Sequence, residues 1–531
     1  MNCKKKLCLL LIAIMLLSFC GCRENKTEIS DNVSHEESIN EKSRDYITLL
    51  YSAADSFNPY TLKTDVNRQL CKLLYEPLVK VTNDFKAVKA LAKSVKLSGK
   101  SCTVILREAK FSDGTTITAQ DIEYSYNLAK KSNTTYGKKL YNVSSVSASG
   151  SKIVFKLKKN DPYFENVLDF PIIKKGSDKK TDSDSVALPP VGCGRYKLNF
   201  KNDELVTNKS YFGVKGKIKT IRLINAPDTE SVSHYAEIGA ADMYFSEISD
   251  GKILRMSGTK KEINLNNLVY IGINQNYAPL NKRALRQALS AALNRIKLCE
   301  EAYYNNAVAA TGVFHPDWEE TKSVQNIQIE SDSEITIENL KEIGYNKLNS
   351  EGIRINSNGT PLKFTLLVNS ENRIRVLAAN TVAKQLKGVG IGITVVEMSY
   401  KKYKAALKKG DFQLYIGEIK FTDNMDVSSL FVKGGSAAFG LPKNKTEKNT
   451  ISSTSSSSSK KSVITDSQKV IEEYSKGKTT VRDVASVLQS EMCVVPLCYR
   501  TGVLFYNDKI ENVNKASLSD IYFSIDSYLI N

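Results

Sequence analysis

Apolar and polar positions alternate along most of the chain in patterns that predict both strands and helices. The run ITLLYSA, which begins at residue 47, is apolar and strand-like. Further along, KSCTVILREA at residues 100–109 predicts a strand, and TAQDIEYSYNLAKKS at residues 118–132 has a helical period. Thr118 stands three residues before Asp121, which is the spacing of a helix capping box. This alternation predicts a mixed α/β protein.

A second α/β segment follows from residue 267. NLVYIGINQN predicts a strand, and KRALRQALSAALNRIKLCEEAY places Leu285, Leu289, Ala292 and Leu293 on one helical face that would turn to the core. The strand-like LKFTLLVNS then precedes a helix, RVLAANTVAKQLKGVG, which two glycines close, and the strand IGITVVEMS follows it. We find no internal repeat in this pattern.

The beginning of the chain has a different pattern. Three lysines precede an apolar run at residues 7–19, and Gly21 stands directly before Cys22, which predicts a secretory signal peptide over residues 1–21. An apolar run of about 13 residues is shorter than the roughly 20 that a membrane-spanning helix needs, which disfavours a retained anchor helix. Cleavage in front of Cys22 resembles the lipobox of bacterial lipoproteins, so Cys22 is predicted to carry a lipid anchor.

Two segments have a composition that predicts no packed structure. Residues 22–46 lack apolar periodicity and are interpreted as a disordered tether. The run ISSTSSSSSKKS at residues 451–462 is of low complexity and is interpreted as a flexible surface insertion. The remainder of the 531-residue chain is long enough to bury more than one hydrophobic core.

The net charge of +18 indicates which kinds of partner the protein could bind. Such an excess favours nucleic acid, anionic lipid headgroups or acidic ligands. No run of Lys and Arg with interleaved aromatic residues points to nucleic acid, so we predict no nucleic-acid partner. For an exported protein, the anionic membrane surface is the simplest interpretation.

The cysteines, histidines and short motifs predict no catalytic or metal chemistry. Six cysteines of the mature chain form no CxxC pair, so buried free thiols are favoured, although a single disulfide stays open; they are Cys71, Cys102, Cys193, Cys299, Cys493 and Cys498. The sequence contains no G-x-S-x-G or H-E-x-x-H motif, and its three histidines lie far apart. SGKS at residues 98–101 lacks the first glycine of a phosphate loop and predicts a hairpin turn. No cofactor is expected.

Several stretches together resemble one family. In chain order they are FNP at residues 57–59, NRQLCKLLYEPLVKV, AKFSDGTTITAQDIEYS, VGCGRYKL, INQNYAPLNKRALRQALSAALNR, LKEIGY, LKGVGIGITVVEMSYKKYKAALKKGDFQLYIGE and VVPLCYR. They resemble the family 5 extracellular solute-binding proteins of bacterial ABC importers, which include oligopeptide, dipeptide and nickel receptors. In VGCGRYKL, Cys193 and Arg195 replace the Thr and Pro of the family's turn, whereas both glycines that a tight turn needs are kept.

The resemblance implies a type II periplasmic-binding-protein-like α/β fold with two lobes, a hinge and an inserted extra domain. The ligand would lie between the lobes, which close on it. The implied segments are 47–70, 190–265 and 490–531 for a discontinuous lobe I, 71–189 for the inserted domain, and 266–489 for lobe II with the serine-rich insertion.

The resemblance also implies a function without catalysis. The protein would be a monomer, lipid-anchored at the extracellular face of the bacterial cell membrane. It would capture peptides, most simply oligopeptides, and deliver them to an ABC permease whose ATPase subunits supply the energy. Two alternatives stay open: a nickel or metal-chelate receptor, if His234 or His315 reached the cleft, and a surface sensor on the same fold without an importer.

The resemblance further implies the ligand-binding residues. In peptide-binding relatives an aspartate after a strand holds the ligand's amino terminus, and alignment of DFQLYIGEIKFTDNMDVSSLF puts Asp423 at that position. The alternative is that Asp423 or the nearby Asp426 only caps the short helix VSSLF. The loop after FNP carries Lys63, Thr64 and Asp65, whose backbone would pair with an extended peptide.

Overall fold

The computed structural model describes residues 44–199, 203–247, 257–442 and 465–531. The predicted signal peptide, Cys22, nearly all of the predicted tether and the serine-rich insertion lie outside these residues. Within the described ranges, no helix is both long enough and apolar enough to cross a bilayer.

Strands and helices alternate along the described residues, which confirms the predicted α/β class. The strands are β1 (Tyr46–Tyr51), β2 (Val79–Val81), β3 (Ala87–Lys89), β4 (Ala92–Ser98), β5 (Ser101–Leu106), β6 (Val143–Ser149), β7 (Lys152–Leu157), β8 (Tyr196–Asn199), β9 (Glu204–Thr207), β10 (Thr220–Asn225), β11 (Met243–Glu247), β12 (Thr259–Ile273), β13 (Ala307–Ala309), β14 (Lys347–Leu348), β15 (Arg354–Ile355), β16 (Lys363–Asn369), β17 (Gly392–Met398), β18 (Leu414–Lys420), β19 (Val494–Tyr506), β20 (Ile510–Glu511) and β21 (Leu529–Ile530). The α-helices are α1 (Asp65–Leu74), α2 (Ala119–Lys131), α3 (Thr135–Lys139), α4 (Thr229–Glu237), α5 (Arg283–Ala291), α6 (Arg295–Tyr303), α7 (Glu319–Lys322), α8 (Ser333–Glu342), α9 (Arg373–Gly388), α10 (Tyr400–Lys409), α11 (Ser428–Phe431), α12 (Asp466–Ser475) and α13 (Val481–Glu491).

Among the described residues, three sheets of four or more strands organise these elements, and three further sheets have two strands each. One has the order β1-β10-β9-β8, with β1 parallel to β10. A second, β4-β5-β7-β6, is antiparallel and lies inside the segment for which the sequence predicts an inserted domain. The third has the order β11-β19-β12-β18-β16-β17, and β13 also pairs with β19. The domain boundaries given from the sequence stay a prediction.

Local sequence signals account for several element ends. At the start of α2 the backbone N–H of Thr118 donates to the Asp121 carboxylate at 2.9 Å, so the predicted capping box is confirmed. Between β4 and β5 the chain turns through Gly99, whose φ is +54°, and Ser98 pairs with Ser101. The SGKS stretch is therefore the predicted hairpin turn.

The third sheet is covered on both faces because its strands alternate their apolar side chains. Val269 and Ile271 of β12 point to a core built with α5, α6 and α9. Leu268 and Tyr270 point to the opposite core, which contains Trp318 and residues of α10 and α13. This period of two is what a strand between two apolar layers requires.

The two glycines of VGCGRYKL are needed for close packing against the end of α1. A Cβ atom at Gly192 would lie 2.1 Å from the backbone oxygen of Leu74, and one at Gly194 would lie 2.2 Å from that of Leu73. Neither glycine is among the residues with positive φ. The turn thus keeps them for space beside a backbone rather than for a left-handed conformation.

A buried network of charges ties together three distant segments. Lys80 pairs with Glu76 at 2.9 Å and with Asp520 at 3.0 Å, and Arg195 also pairs with Asp520 at 3.0 Å. All four side chains are buried. Burial raises the pKa of Asp520, but Arg195 and Lys80 lower it by more, so the pKa lies below its ordinary value. The carboxylate is therefore held ionised between two cations.

We expect Asp520→Asn to lower the free energy of unfolding by about 3–5 kcal/mol, because it removes the buried carboxylate that Lys80 and Arg195 share. Urea unfolding followed by circular dichroism measures the change. The exposed Asp411 supplies the control, since Asp411→Asn should change stability by less than about 0.5 kcal/mol. Equal effects of the two substitutions would contradict the structural role of the network.

Candidate functional site

A cavity of about 1000 Å³ lies beside the end of β18. One wall comes from β18, the loop after it and α10, and the other from residues near α3 and β7. Its aromatic lining consists of Tyr141, Tyr270, Tyr400, Tyr403, Tyr415, Phe421 and Phe439. Its charged lining consists of Lys138, Lys159, Arg375, Lys404, Lys420, Glu418 and Asp426. Aromatic walls with a few polar groups are typical of a ligand site.

Cross-strand pairing of tyrosine with glycine positions the floor of this cavity. Tyr270 of β12 lies opposite Gly417 of β18, and Gly272 lies opposite Tyr415. A Cβ atom at Gly417 would lie 2.5 Å from the Tyr270 ring, so no larger residue fits there. The hydroxyl oxygens of Tyr270 and Tyr415 lie 3.3 Å apart. The sequence analysis missed these rings, because only the strand register brings each one over a glycine.

Glu418 is held in a fixed position by three neighbours. Arg375 donates to one carboxylate oxygen at 2.7 Å, whereas Arg500 and Asn267 donate to the other at 2.7 and 2.8 Å. Burial raises the pKa of Glu418, but the two arginines lower it by more, to about 2. The carboxylate therefore stays ionised at neutral pH and has its charge balanced within the protein.

Asp423, the predicted anchor of a ligand amine, binds a lysine of the protein. The Lys139 ammonium donates to Asp423 at 2.5 Å and to Asp169 at 2.6 Å. Burial alone would lower the pKa of Lys139, but the two carboxylates raise it well above its ordinary value. Asp423 itself is not among the residues that line the cavity. Its role toward a ligand stays a prediction.

Further polar contacts join the same two walls. Lys159 donates to Asp426 at 2.9 Å and to the Ser428 hydroxyl at 3.0 Å. Asn166 donates to the backbone oxygen of Asp423 at 2.9 Å. Asp426 also accepts from the backbone N–H of Ser428, the first residue of α11, at 2.9 Å, whereas the N-cap position of that helix is Val427. The loop after β18 is thus bound to residues 139–169.

Lys63, Thr64 and Asp65 lie at the start of α1, and none of them lines the cavity. The Asp55 carboxylate accepts from the backbone N–H of Lys63 at 2.9 Å and from that of Thr64 at 2.7 Å. Asp65 is exposed and pairs with Arg68. The predicted pairing of this segment with a peptide stays a prediction, and a peptide using these two N–H groups would have to displace Asp55.

Neither histidine named for the metal-chelate alternative lines the cavity. His315 is buried between the rings of Phe85 and Tyr499, and burial lowers its pKa to about 4. His234 is exposed on α4. Among the described residues, no group of three or more His, Cys, Asp or Glu side chains could hold a metal. All six predicted free thiols are buried, and none of them forms a disulfide within the described residues.

Comparisons with known proteins show which family this chain is similar to. The model for bacterial extracellular solute-binding proteins, family 5, middle, matches residues 86–438. The oligopeptide-binding protein AppA of Bacillus subtilis is 26% identical over 368 residues, which cover 65% of this chain and 67% of that protein. The glutathione-binding protein GsiB of Salmonella typhi is 26% identical over 398 residues, which cover 70% and 77%.

Two solved structures show the same fold. A nickel ABC transporter protein from Bacillus halodurans has a TM-score of 0.71 at 18% identity and covers 92% of this chain and 100% of its own. The unliganded open form of MppA, a periplasmic murein tripeptide binding protein, has a TM-score of 0.71 at 17% identity. The match covers 92% of this chain and 98% of MppA. The two-lobed α/β fold is therefore confirmed.

The low pKa of Glu418 makes its contribution to stability dependent on pH. Because the folded pKa of about 2 lies below the ordinary value of 4.5, the stabilisation is present above about pH 4.5 and is lost as the pH falls toward 2. We expect Glu418→Gln to lower the free energy of unfolding by about 3 kcal/mol at pH 7. The gap between parent and variant should close toward pH 2.

Urea unfolding at pH 7, 4 and 3 measures this gap. Glu334→Gln, an exposed position on α8, is the control and should leave stability nearly unchanged at each pH. A gap for Glu418→Gln that stayed constant over this range would show that its charge does not provide the stabilisation.

Proposed function

We propose a function from one premise: the chain belongs to the bacterial extracellular solute-binding proteins of family 5. Proteins of this family bind solutes for ABC importers and are not enzymes. In our proposal this protein captures a peptide in the cavity beside β18. It delivers the peptide to an ABC permease, whose ATPase subunits supply the energy, and it acts as a monomer on the extracellular face of the cell membrane.

The observation that carries the peptide proposal is the free edge of β18. The ladder between β16 and β18 covers only two residue pairs, Leu366 with Leu414 and Leu367 with Tyr415. Beyond Tyr415, no described strand pairs with this edge; the Tyr403 hydroxyl donates to the backbone oxygen of Ile416 at 2.7 Å, and residues 417–420 line the cavity. An extended peptide would add a strand there through main-chain hydrogen bonds, with the aromatic rings receiving its side chains.

The size of the cavity also supports a peptide. About 1000 Å³ lies at the upper end of the range for small-ligand pockets. Relatives are named for binding an oligopeptide and glutathione, which is itself a peptide. The metal-chelate alternative receives less support, since neither His234 nor His315 lines the cavity.

Asp423 is proposed to bind the amino terminus of the peptide in exchange for Lys139. The carboxylates of Asp423 and Asp169 already accept hydrogen bonds from one ammonium, which supports the chemical fit of a second one in its place. The roles of Lys63, Thr64 and Asp65 are part of the same proposal, although no contact of the described residues adds to their support.

Calorimetry with a free-amine peptide tests Asp423 against Lys139. Asp423→Asn should weaken binding about 30-fold, because the charged partner of the ligand ammonium is lost. Lys139→Met should leave binding unchanged or strengthen it, since it removes the competing ammonium and keeps the carboxylate. N-acetylation of the peptide should weaken binding to the parent and hardly affect Asp423→Asn.

Two results would contradict this assignment. If Lys139→Met and Asp423→Asn weaken binding equally, the carboxylate serves only the contact between the walls. If no peptide binds the parent at all, the peptide proposal itself fails. Native mass spectrometry of protein purified with the molecule it carries identifies the ligand independently.

The lipid anchor is proposed to be attached to Cys22. Cys22→Ala should release the protein from the membrane fraction or leave the precursor uncut, because the lipidated residue is lost. Cys20→Ala should do neither, since that residue lies within the removed leader. Labelling with a radioactive fatty acid measures the modification, and label that persists in Cys22→Ala would refute the assignment.

A further inference from the structure

The carboxylates at the cavity are already balanced by cations of the protein. Glu418 pairs with Arg375 and Arg500, both at 2.7 Å. Asp426 pairs with Lys159 at 2.9 Å. Among the described residues, these two are the acidic side chains that line the cavity, so neither presents an unbalanced negative charge to a ligand.

Two lysines that line the cavity are not paired with a carboxylate of the described residues. Lys138 and Lys404 are exposed, line the cavity and form no ion pair with a described carboxylate. Lys138 lies on α3, next to the bridging Lys139, whereas Lys404 lies on α10 in the other wall. The Lys404 ammonium lies 5.6 Å from the centre of the Tyr400 ring, which also lines the cavity. Unpaired positive charge therefore approaches the cavity from both walls.

The helix that carries Lys404 adds to the positive charge on this side of the cavity. Helix α10 has the sequence YKKYKAALKK and contains no acidic residue. Its Tyr403 and Leu407 are buried, while Lys401 and Lys402 are exposed and do not line the cavity. Lysines on an exposed helix face are ordinarily only solvated. Lys404 differs from these neighbours because it lines the same cavity as Lys138 and the aromatic rings.

We infer that the cavity selects ligands that carry carboxylates, and that Lys138 and Lys404 bind those carboxylates from opposite walls. The inference rests on the proposed function, since it names the class of peptide that the same cavity takes: one with acidic side chains. A carboxylate between two ammonium groups, with water partly excluded by the aromatic lining, gains charge-assisted hydrogen bonds that a neutral amide does not. A carboxylate-bearing metal chelate shares this chemistry, and the test separates the two sources.

The test compares three probes by calorimetry at about 0.15 M salt. They are the peptide Ala-Glu-Glu-Ala, its neutral counterpart Ala-Gln-Gln-Ala, and Fe(III)-EDTA. For the parent protein we expect the acidic peptide to bind about tenfold more tightly than the neutral one. The double variant Lys138→Gln with Lys404→Gln should bind both peptides equally.

A matched variant controls for net charge. Lys401→Gln with Lys402→Gln removes the same net charge, in this case from α10 alone, without changing the lining, and screening at this salt weakens its distant effect. It should keep the tenfold preference. We call the double variant Lys138→Gln with Lys404→Gln the lining variant. If the control variant loses its preference for the acidic peptide as fully as the lining variant does, Lys138 and Lys404 do not bind the ligand and the inference is overturned.

The remaining outcomes separate this inference from the proposed function. Equal binding of both peptides to the parent overturns the carboxylate selectivity and leaves the peptide function standing. Binding of Fe(III)-EDTA alone, lost in the lining variant, overturns the peptide function and supports the selectivity. If none of the three probes binds, both proposals fail.

Discussion

The pairing of β12 with β19 is the constraint on which the rest of the structure depends. The two strands pair from Thr259 opposite Tyr506 to Gly272 opposite Val494, with a short irregularity between Val269 and Tyr270 and a longer irregularity between Asn264 and Leu268. On one side of this irregularity β11 joins β19, and on the other side β18 joins β12. The same two strands therefore run through both halves of the sheet, and a shift in their register would move every element attached to either half.

The irregular part of β12 connects this pairing to the cavity. It contains the buried residues Asn264, Asn266 and Asn267. Asn266 donates to the backbone oxygen of Thr422 at 3.2 Å, and Asn267 donates to Glu418 at 2.8 Å. The amide nitrogens of Asn266 and Asn267 thus have their acceptors on β18 and the loop after it, whereas Asn264 donates to the backbone oxygen of Asn83 at 2.9 Å and to Asp317 at 2.7 Å. The polar interruption of an apolar strand thus fixes the wall that carries the cavity's charged groups.

The sequence predicted the parts of this fold that depend on neighbours along the chain. The capping box at Thr118 and the hairpin turn at SGKS involve residues within a few positions, and the α/β class follows from periodicity. The family resemblance supplied the two-lobed arrangement, which local patterns do not encode. Even there the reason for Gly192 was misjudged, because the backbone that it approaches, at Leu74, is distant in sequence.

The site was less predictable, since its contacts join residues far apart in the chain. Asp423 was singled out from the resemblance, but its partner Lys139 stands 284 positions earlier on a helix of five residues. No local pattern marks such a pair. The tyrosine and glycine pairs of β12 and β18 likewise depend on strand register, which the sequence of either strand alone leaves open.

The distribution of charge separates two tasks that a binding cavity must perform. Contacts such as Lys159 with Asp426, and Asn166 with the backbone oxygen of Asp423, join the two walls without requiring a ligand. By stabilising the arrangement in which the walls meet, such contacts raise the binding-competent fraction, and with it the affinity for every ligand by the same factor. They cannot discriminate between ligands, because a selective effect requires a different interaction free energy with each one. Groups that line the cavity and can still form new contacts with a ligand must therefore discriminate between ligands. They are the edge of β18, the aromatic rings, Lys138 and Lys404.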